Sequence, residues 1–112
     1  MELKSQQNGT MQIVSVHSAR IDAAVAIEFK DAMRQATDSG SPIVILDLSE
    51  VDFIDSSGLG AIVASMKHMG RDRSLVLAGL TPTVDKVFRL TRMDSVFGVF
   101  PTLQSALDAH AA

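Results

Sequence analysis

The chain has no cysteine, no tryptophan and no tyrosine, and only three prolines among its 112 residues. Without cysteine there is no disulfide, no thiolate chemistry and no cysteine-based zinc or iron–sulfur site, which fits a reducing compartment. Aromatics make up 4%, all of them phenylalanine. The base-stacking platforms of single-strand binders and the usual Trp or Tyr hot spots are therefore missing. Ten basic residues face thirteen acidic ones, for a net charge of -3. That sign is wrong for a surface that tracks phosphates, so no nucleic-acid partner is expected. Long apolar runs are also scarce. Met1–Thr10 is polar and lacks the apolar core of a secretory signal, and the uncharged stretch Ser95–Leu107 is too short and too broken by Gly98 and Pro101 to cross a bilayer. Neither a membrane segment nor a signal is expected, and the combined reading is a cytoplasmic protein.

What is present is a globular balance, 46% hydrophobic against 21% charged residues, in a length that suits a single domain over residues 1–112. Glu2–Gln7 and Met11–Val16 flank Asn8-Gly9, a dipeptide that tolerates the positive φ of a tight hairpin. After Asp22, which is placed to cap a helix, Val25, Phe29, Ala32, Met33 and Ala36 recur at helical spacing, and Asp38-Ser39-Gly40-Ser41-Pro42 ends the run. Ile43–Leu46 is apolar without alternation, as expected of a central strand covered on both faces. The loop Ser49–Asp55 leads into a second helix from Ser56 to about Gly70. Ser74–Gly79 is another buried strand. Thr81-Pro82 opens a third helix, Val96–Phe100 is a short last strand, and Pro101-Thr102 opens a final helix whose tail, from Ala109, should fray. The alternation predicts an α/β fold, a mixed, mostly parallel sheet of four to five strands with about four helices.

The second helix carries no charged side chain from Ser56 to Met66. Its outward face by spacing is Ser57, Gly60, Ala61, Ala64, Ser65 and His68, small and uncharged where a surface helix normally shows Lys, Glu or Arg. Either a neighbouring element of the same chain covers this face or another protein docks on it, and the second reading is favoured because small residues admit a close partner. The stretch Asp55-Ser56-Ser57-Gly58 stands at the helix start, where unpaired amides and the helix dipole favour negative charge. One serine there can cap the helix while Gly58 eases the turn. The other could accept a phosphoryl group. Nucleophilic catalysis does not fit, since glycines do not flank either serine as a nucleophile elbow requires, and His17, His68 and His110 offer no paired base. Gly58-Leu59-Gly60 is not a dinucleotide fingerprint. The acidic residues Asp47, Glu50, Asp52 and Asp55 lack the glycine and glutamate spacing of a calcium loop. Lys67, Arg71, Asp72 and Arg73 read as a solvated turn.

The run Ile45-Leu46-Asp47-Leu48-Ser49-Glu50-Val51-Asp52-Phe53-Ile54-Asp55-Ser56-Ser57-Gly58-Leu59-Gly60 resembles the signature stretch of STAS domains, specifically bacterial anti-sigma factor antagonists. Ala19-Arg20-Ile21-Asp22 is similar to the Gly-x-Leu-Asp segment before the first helix, Leu80–Val84 to the entry into the third, and Phe97–Leu107 to the C-terminal strand and helix. The resemblance implies a partner-switching module and not an enzyme. Ser56 would be the phosphoacceptor, Asp22 and Asp55 its acidic neighbours, and Ser57 a support of the turn. Unphosphorylated, such an antagonist binds an anti-sigma factor with serine-kinase activity and so releases a sigma factor. A metal-dependent serine phosphatase reverses the modification. ATP and magnesium would belong to the kinase, leaving this chain without cofactor or metal. The alternatives are an unphosphorylated STAS scaffold or lipid-transport subunit and a small receiver-like signalling domain. Ala19 departs from the family glycine, at a cost of about 1 kcal/mol if that position needs positive φ.

Overall fold

The opening segments pair as an antiparallel hairpin of β1 (Leu3–Asn8) and β2 (Met11–Val16), with Asn8 opposite Met11. The two loop residues are therefore Gly9 and Thr10, one position later than the Asn-Gly dipeptide suggests. Gly9 has φ 63°, and glycine at the first loop position supplies the left-handed turn while Asn8 stays in the ladder. The computed structural model describes residues 1–111.

Three further strands join parallel to β2: β4 (Ile43–Asp47), β6 (Ser74–Ala78) and β7 (Gly98–Phe100), in the order β1-β2-β4-β6-β7. The missing number belongs to β3 (Arg20–Ile21), which pairs in parallel with β5 (Phe53–Ile54) as a separate two-stranded sheet. Four helices complete the fold: α1 (Ala26–Ala36), α2 (Ser56–Met69), α3 (Pro82–Leu90) and α4 (Leu103–His110). This is the expected α/β architecture, with β4 in the middle and its Val44, Ile45 and Leu46 fully buried.

Alternation along the strands divides the core between two faces. On one, Val14, Val16, Val44, Leu46, Leu75 and Leu77 meet Phe29 and Met33 of α1, Ile62 of α2, and Val84 and Phe88 of α3. On the other, Met11, Ile45, Val76 and Ala78 meet Ala106, with Leu103 and Leu107 of α4 packed alongside. Each large aliphatic or aromatic side chain so buried stabilises the fold by about 1.5–3 kcal/mol. Among the polar groups, Gln12 is buried in the first layer and satisfied by Ser5, Ser39 and the Ala36 carbonyl.

Several boundaries differ from the sequence reading. The segment read as a plain loop before α2 contains β5, and α1 starts at Ala26 with Val25 in the capping position. Asp22 caps a preceding turn instead, its Oδ1 accepting the Ala24 amide at 3.1 Å, because β3 holds it at a strand end. The last strand begins at Gly98, since a 3-10 turn (Met93–Ser95) precedes it and Phe97 packs edge-on to Phe88 at 6.2 Å. α4 includes Ala109 and His110, the latter 2.8 Å from the Ala106 carbonyl oxygen and edge-on to Phe100, so helix persists where fraying was expected; Ala112 lies outside the described residues. Arg73 is no solvated turn residue: its Nε donates to the Ser41 carbonyl and its Nη2 to that of Thr37.

Candidate functional site

β5 delivers Asp55 in an extended conformation to the capping position of α2. Its Oδ1 accepts the Gly58 amide at 2.9 Å and its Oδ2 the Ala23 amide at 3.0 Å. The Gly58 hydrogen bond, with help from Ala23 and Ser57 amides and against an opposing desolvation, holds the carboxyl below the ordinary aspartate value. The cap is thus Asp55, and neither serine takes that role. Ser56 and Ser57 are the first two residues of α2 and both are exposed.

Gly58 is needed for contact, since a Cβ there would lie 1.9 Å from the Ile21 carbonyl oxygen and 2.7 Å from its carbon. It eases no turn; it lets the first turn of α2 press on the backbone of β3. The same strand is bound to the β5 segment through Ala19, whose carbonyl accepts the Asp52 and Phe53 amides at 2.8 and 3.2 Å. Ala19 is not among the residues with positive φ, where Arg92 is the only non-glycine of the described residues. Alanine therefore causes no backbone strain at this position. Asp22 sits at the end of β3, its Oδ2 accepting Arg20 Nε at 3.0 Å, and the Arg20 guanidinium lies 4.2 Å over the Phe53 ring. Asp22, Asp55 and Ser56 share one corner of the molecule.

The outward face expected for α2 divides in two. Ser57, Gly60 and His68 are exposed and Ala64 is half-buried, whereas Ala61 and Ser65 are buried, at 2% and 7% exposure. One turn apart on the helix, these two point inward: Ala61 joins the core below the sheet, and the Ser65 hydroxyl donates to the Ala61 carbonyl at 2.9 Å. α1 lies alongside, and Met33 and Thr37 line the groove it forms with Ala64 and Ser65. The chain's own helix accounts for part of the small-residue face, and Ser56, Ser57, Gly60, Ala64 and His68 remain uncovered or partly so.

The model of the STAS domain matches residues 2–106. The chain belongs to the STAS domain family. An anti-sigma-B factor antagonist of Listeria monocytogenes is 27% identical over 100 residues, covering 88% of each chain. The crystal structure of an anti-sigma factor antagonist from Mycobacterium paratuberculosis is 28% identical, covers 96% of this chain and 92% of its own, and superposes with a TM-score of 0.86. The phosphorylated form of the Bacillus cell fate determinant SpoIIAA, at 18% identity, shares the fold with a TM-score of 0.68 over 96% of this chain and 98% of that one.

In this STAS domain the acidic residues of the β4–α2 region hold separate posts. Asp47 Oδ1 accepts the Ser49 amide at 3.0 Å, Glu50 pairs with His17 at 2.7 Å, Asp55 caps α2 and Asp52 is exposed. Among the described residues no group of three or more His, Cys, Asp or Glu is gathered to hold a metal ion. No described helix is long and apolar enough to cross a membrane. Sequence reasoning passed over Ile27, which is 72% exposed in the first turn of α1 just after Ala23, and the Arg20–Phe53 pair. Ile27 was visible as an apolar residue off the Val25, Phe29, Met33 stripe; the pair of β3 and β5 left no periodic signal.

Proposed function

We propose that this STAS protein is an anti-sigma factor antagonist that switches partners through phosphorylation of Ser56, with residues 1–112 acting as one domain. The observation that carries the reading is an exposed serine on the first turn of α2, at the rim of a helix face whose own side chains carry no charge, beside a carboxylate that already accepts the Gly58 amide. The names of its relatives support the role, and SpoIIAA exists in a phosphorylated form.

Unphosphorylated, the strip Ser57, Gly60, Ala64 and His68, continued by Ala23 and Ile27, accepts an anti-sigma factor that is a serine kinase, and the sigma factor is freed. The kinase supplies ATP and magnesium. In the transfer the Ser56 Oγ–P bond forms, the bond between the β and γ phosphates breaks, ADP leaves and the hydroxyl proton passes to a base of the kinase. The product carries roughly -1.5 to -2 charge beside Asp22 and Asp55. Because the Gly58 amide is bound to Asp55, the phosphate stays at the surface and the fold persists. Docking suffers: desolvating an unpaired dianion at a dry rim, at even about 3 kcal/mol, weakens binding more than a hundredfold. A metal-dependent serine phosphatase hydrolyses the ester and restores the binding form.

Titration of the kinase partner with wild type, Ser56→Ala, Ser56→Asp and phosphorylated protein tests the assignment. Wild type and Ser56→Ala should bind tightly, Ser56→Asp more weakly, and the phosphoprotein most weakly, since a carboxylate carries one charge against nearly two. Phosphate located on Ser57 by mass spectrometry, or a phosphoprotein that binds as well as Ser56→Ala, would sink it.

A further inference from the structure

A phosphate on Ser56 enters a corner that already holds the carboxylates of Asp22 and Asp55. The usual receptor for such an anion, the open amides of a helix start, is partly taken here, because Asp55 accepts the Gly58 amide. A cation is nonetheless built into the strand pair that forms the corner. Arg20 is opposite Phe53 in the β3–β5 ladder, its guanidinium 4.2 Å over the Phe53 ring and its Nε on Asp22. The turn that follows Asp22 places the Ala23 amide on Asp55, the residue before Ser56. Guanidinium has five N–H donors, and the bond to Asp22 uses Nε alone. The ring below restrains the flat group without using any donor.

We infer that Arg20 is the residue that holds the phosphate of phosphorylated Ser56, turning on the Phe53 ring to bridge the phosphate and Asp22. The planar fork suits a phosphate by two parallel hydrogen bonds, which a lysine ammonium cannot reproduce. In the unmodified protein the same side chain balances Asp22. This inference rests on the reading of Ser56 as the acceptor, and it adds the group that keeps the modified corner from repelling itself.

The test installs phosphoserine at position 56 of the full chain during synthesis, so it does not depend on any kinase. The phosphorus resonance is titrated through the second ionisation in the otherwise wild-type chain and in Arg20→Gln, Arg20→Lys and Arg34→Gln, the last a control paired with Asp31 on α1. Asp22 and Asp55 raise that ionisation and Arg20 lowers it. The midpoint should therefore rise by about half a pH unit in Arg20→Gln, less in Arg20→Lys, and stay in place in Arg34→Gln. In the wild-type background the Arg20 Nε–H resonance should also move when serine is replaced by phosphoserine. Equal midpoints with and without Arg20, an equal shift in Arg34→Gln, or an unmoved Nε–H resonance overturns the inference. Phosphate found on Ser57 when the kinase itself modifies the wild-type chain would instead count against the acceptor assignment alone, since the synthetic phosphoserine here is placed at position 56 regardless.

Discussion

Two glycines on one helix answer opposite demands. Gly58 admits no side chain against the Ile21 carbonyl, whereas a Cβ on Gly60 meets nothing within 4 Å. Gly58→Ala should cost about 2–4 kcal/mol as α2 is pushed off β3, and Gly60→Ala should gain up to about 1 kcal/mol from helix propensity. Urea midpoints of the two variants would separate them, and similar values would mean that the close approach at Ile21 is not rigid. Asp55 adds a dependence on pH. Its folded carboxyl is held below 3.8, so the stability it contributes is complete above that value and lost as pH falls through the lowered one. Asp55→Asn keeps a capping oxygen without a charge. Thermal melts taken as the pH falls from about 4 toward about 2 should fall less steeply for this variant than for wild type.

At the scale of elements, the hairpin offers a clean check of its loop. Gly9→Ala should lose about 1 kcal/mol because it forces a side chain into the left-handed region, while Asn8→Ala, inside the ladder, should stay within about 0.5 kcal/mol. Reversed effects would return the turn to Asn8-Gly9. What sequence could show followed from repetition: the apolar run of β4, the helical stripe of α1 and the Thr81-Pro82 start of α3 all appear where periodicity and capping chemistry place them. β3 and β5, two residues each, are shorter than any period, so the sheet that assembles the corner was invisible. The cap of α2 was misread for another reason. Asp55, Ser56 and Ser57 are all good capping residues, and only the pairing of β5 with β3, which extends Asp55 and brings the Ala23 amide to it, decides among them. Thr81 shows a related diversion: its hydroxyl donates to the Val51 carbonyl at 2.8 Å instead of capping α3, tying that helix to the segment before β5.

For the molecule as a whole, the split of the α2 face separates binding from folding. Ala64→Arg, at a half-buried position, should weaken the anti-sigma partner at least about tenfold while leaving the circular-dichroism spectrum unchanged. Ala61→Arg, placing a charge where exposure is 2%, should unfold the protein. If Ala64→Arg lost fold and binding together, the face would be internal and the partner would have to dock elsewhere.

The order of strands in the main sheet, β1-β2-β4-β6-β7, is also the order in which they leave the ribosome. Every new strand finds its neighbour already made, and no strand waits for a later one to be inserted beside it. Each parallel pairing still has to close over its own crossover, and the sequential order keeps that entropic cost to one crossover at a time. The corner from Arg20 to Gly58 is encoded almost wholly in the first half of the chain. β7 and α4, which complete the far edge and the other face of the sheet, are the last elements to be synthesised and contribute no residue to that corner.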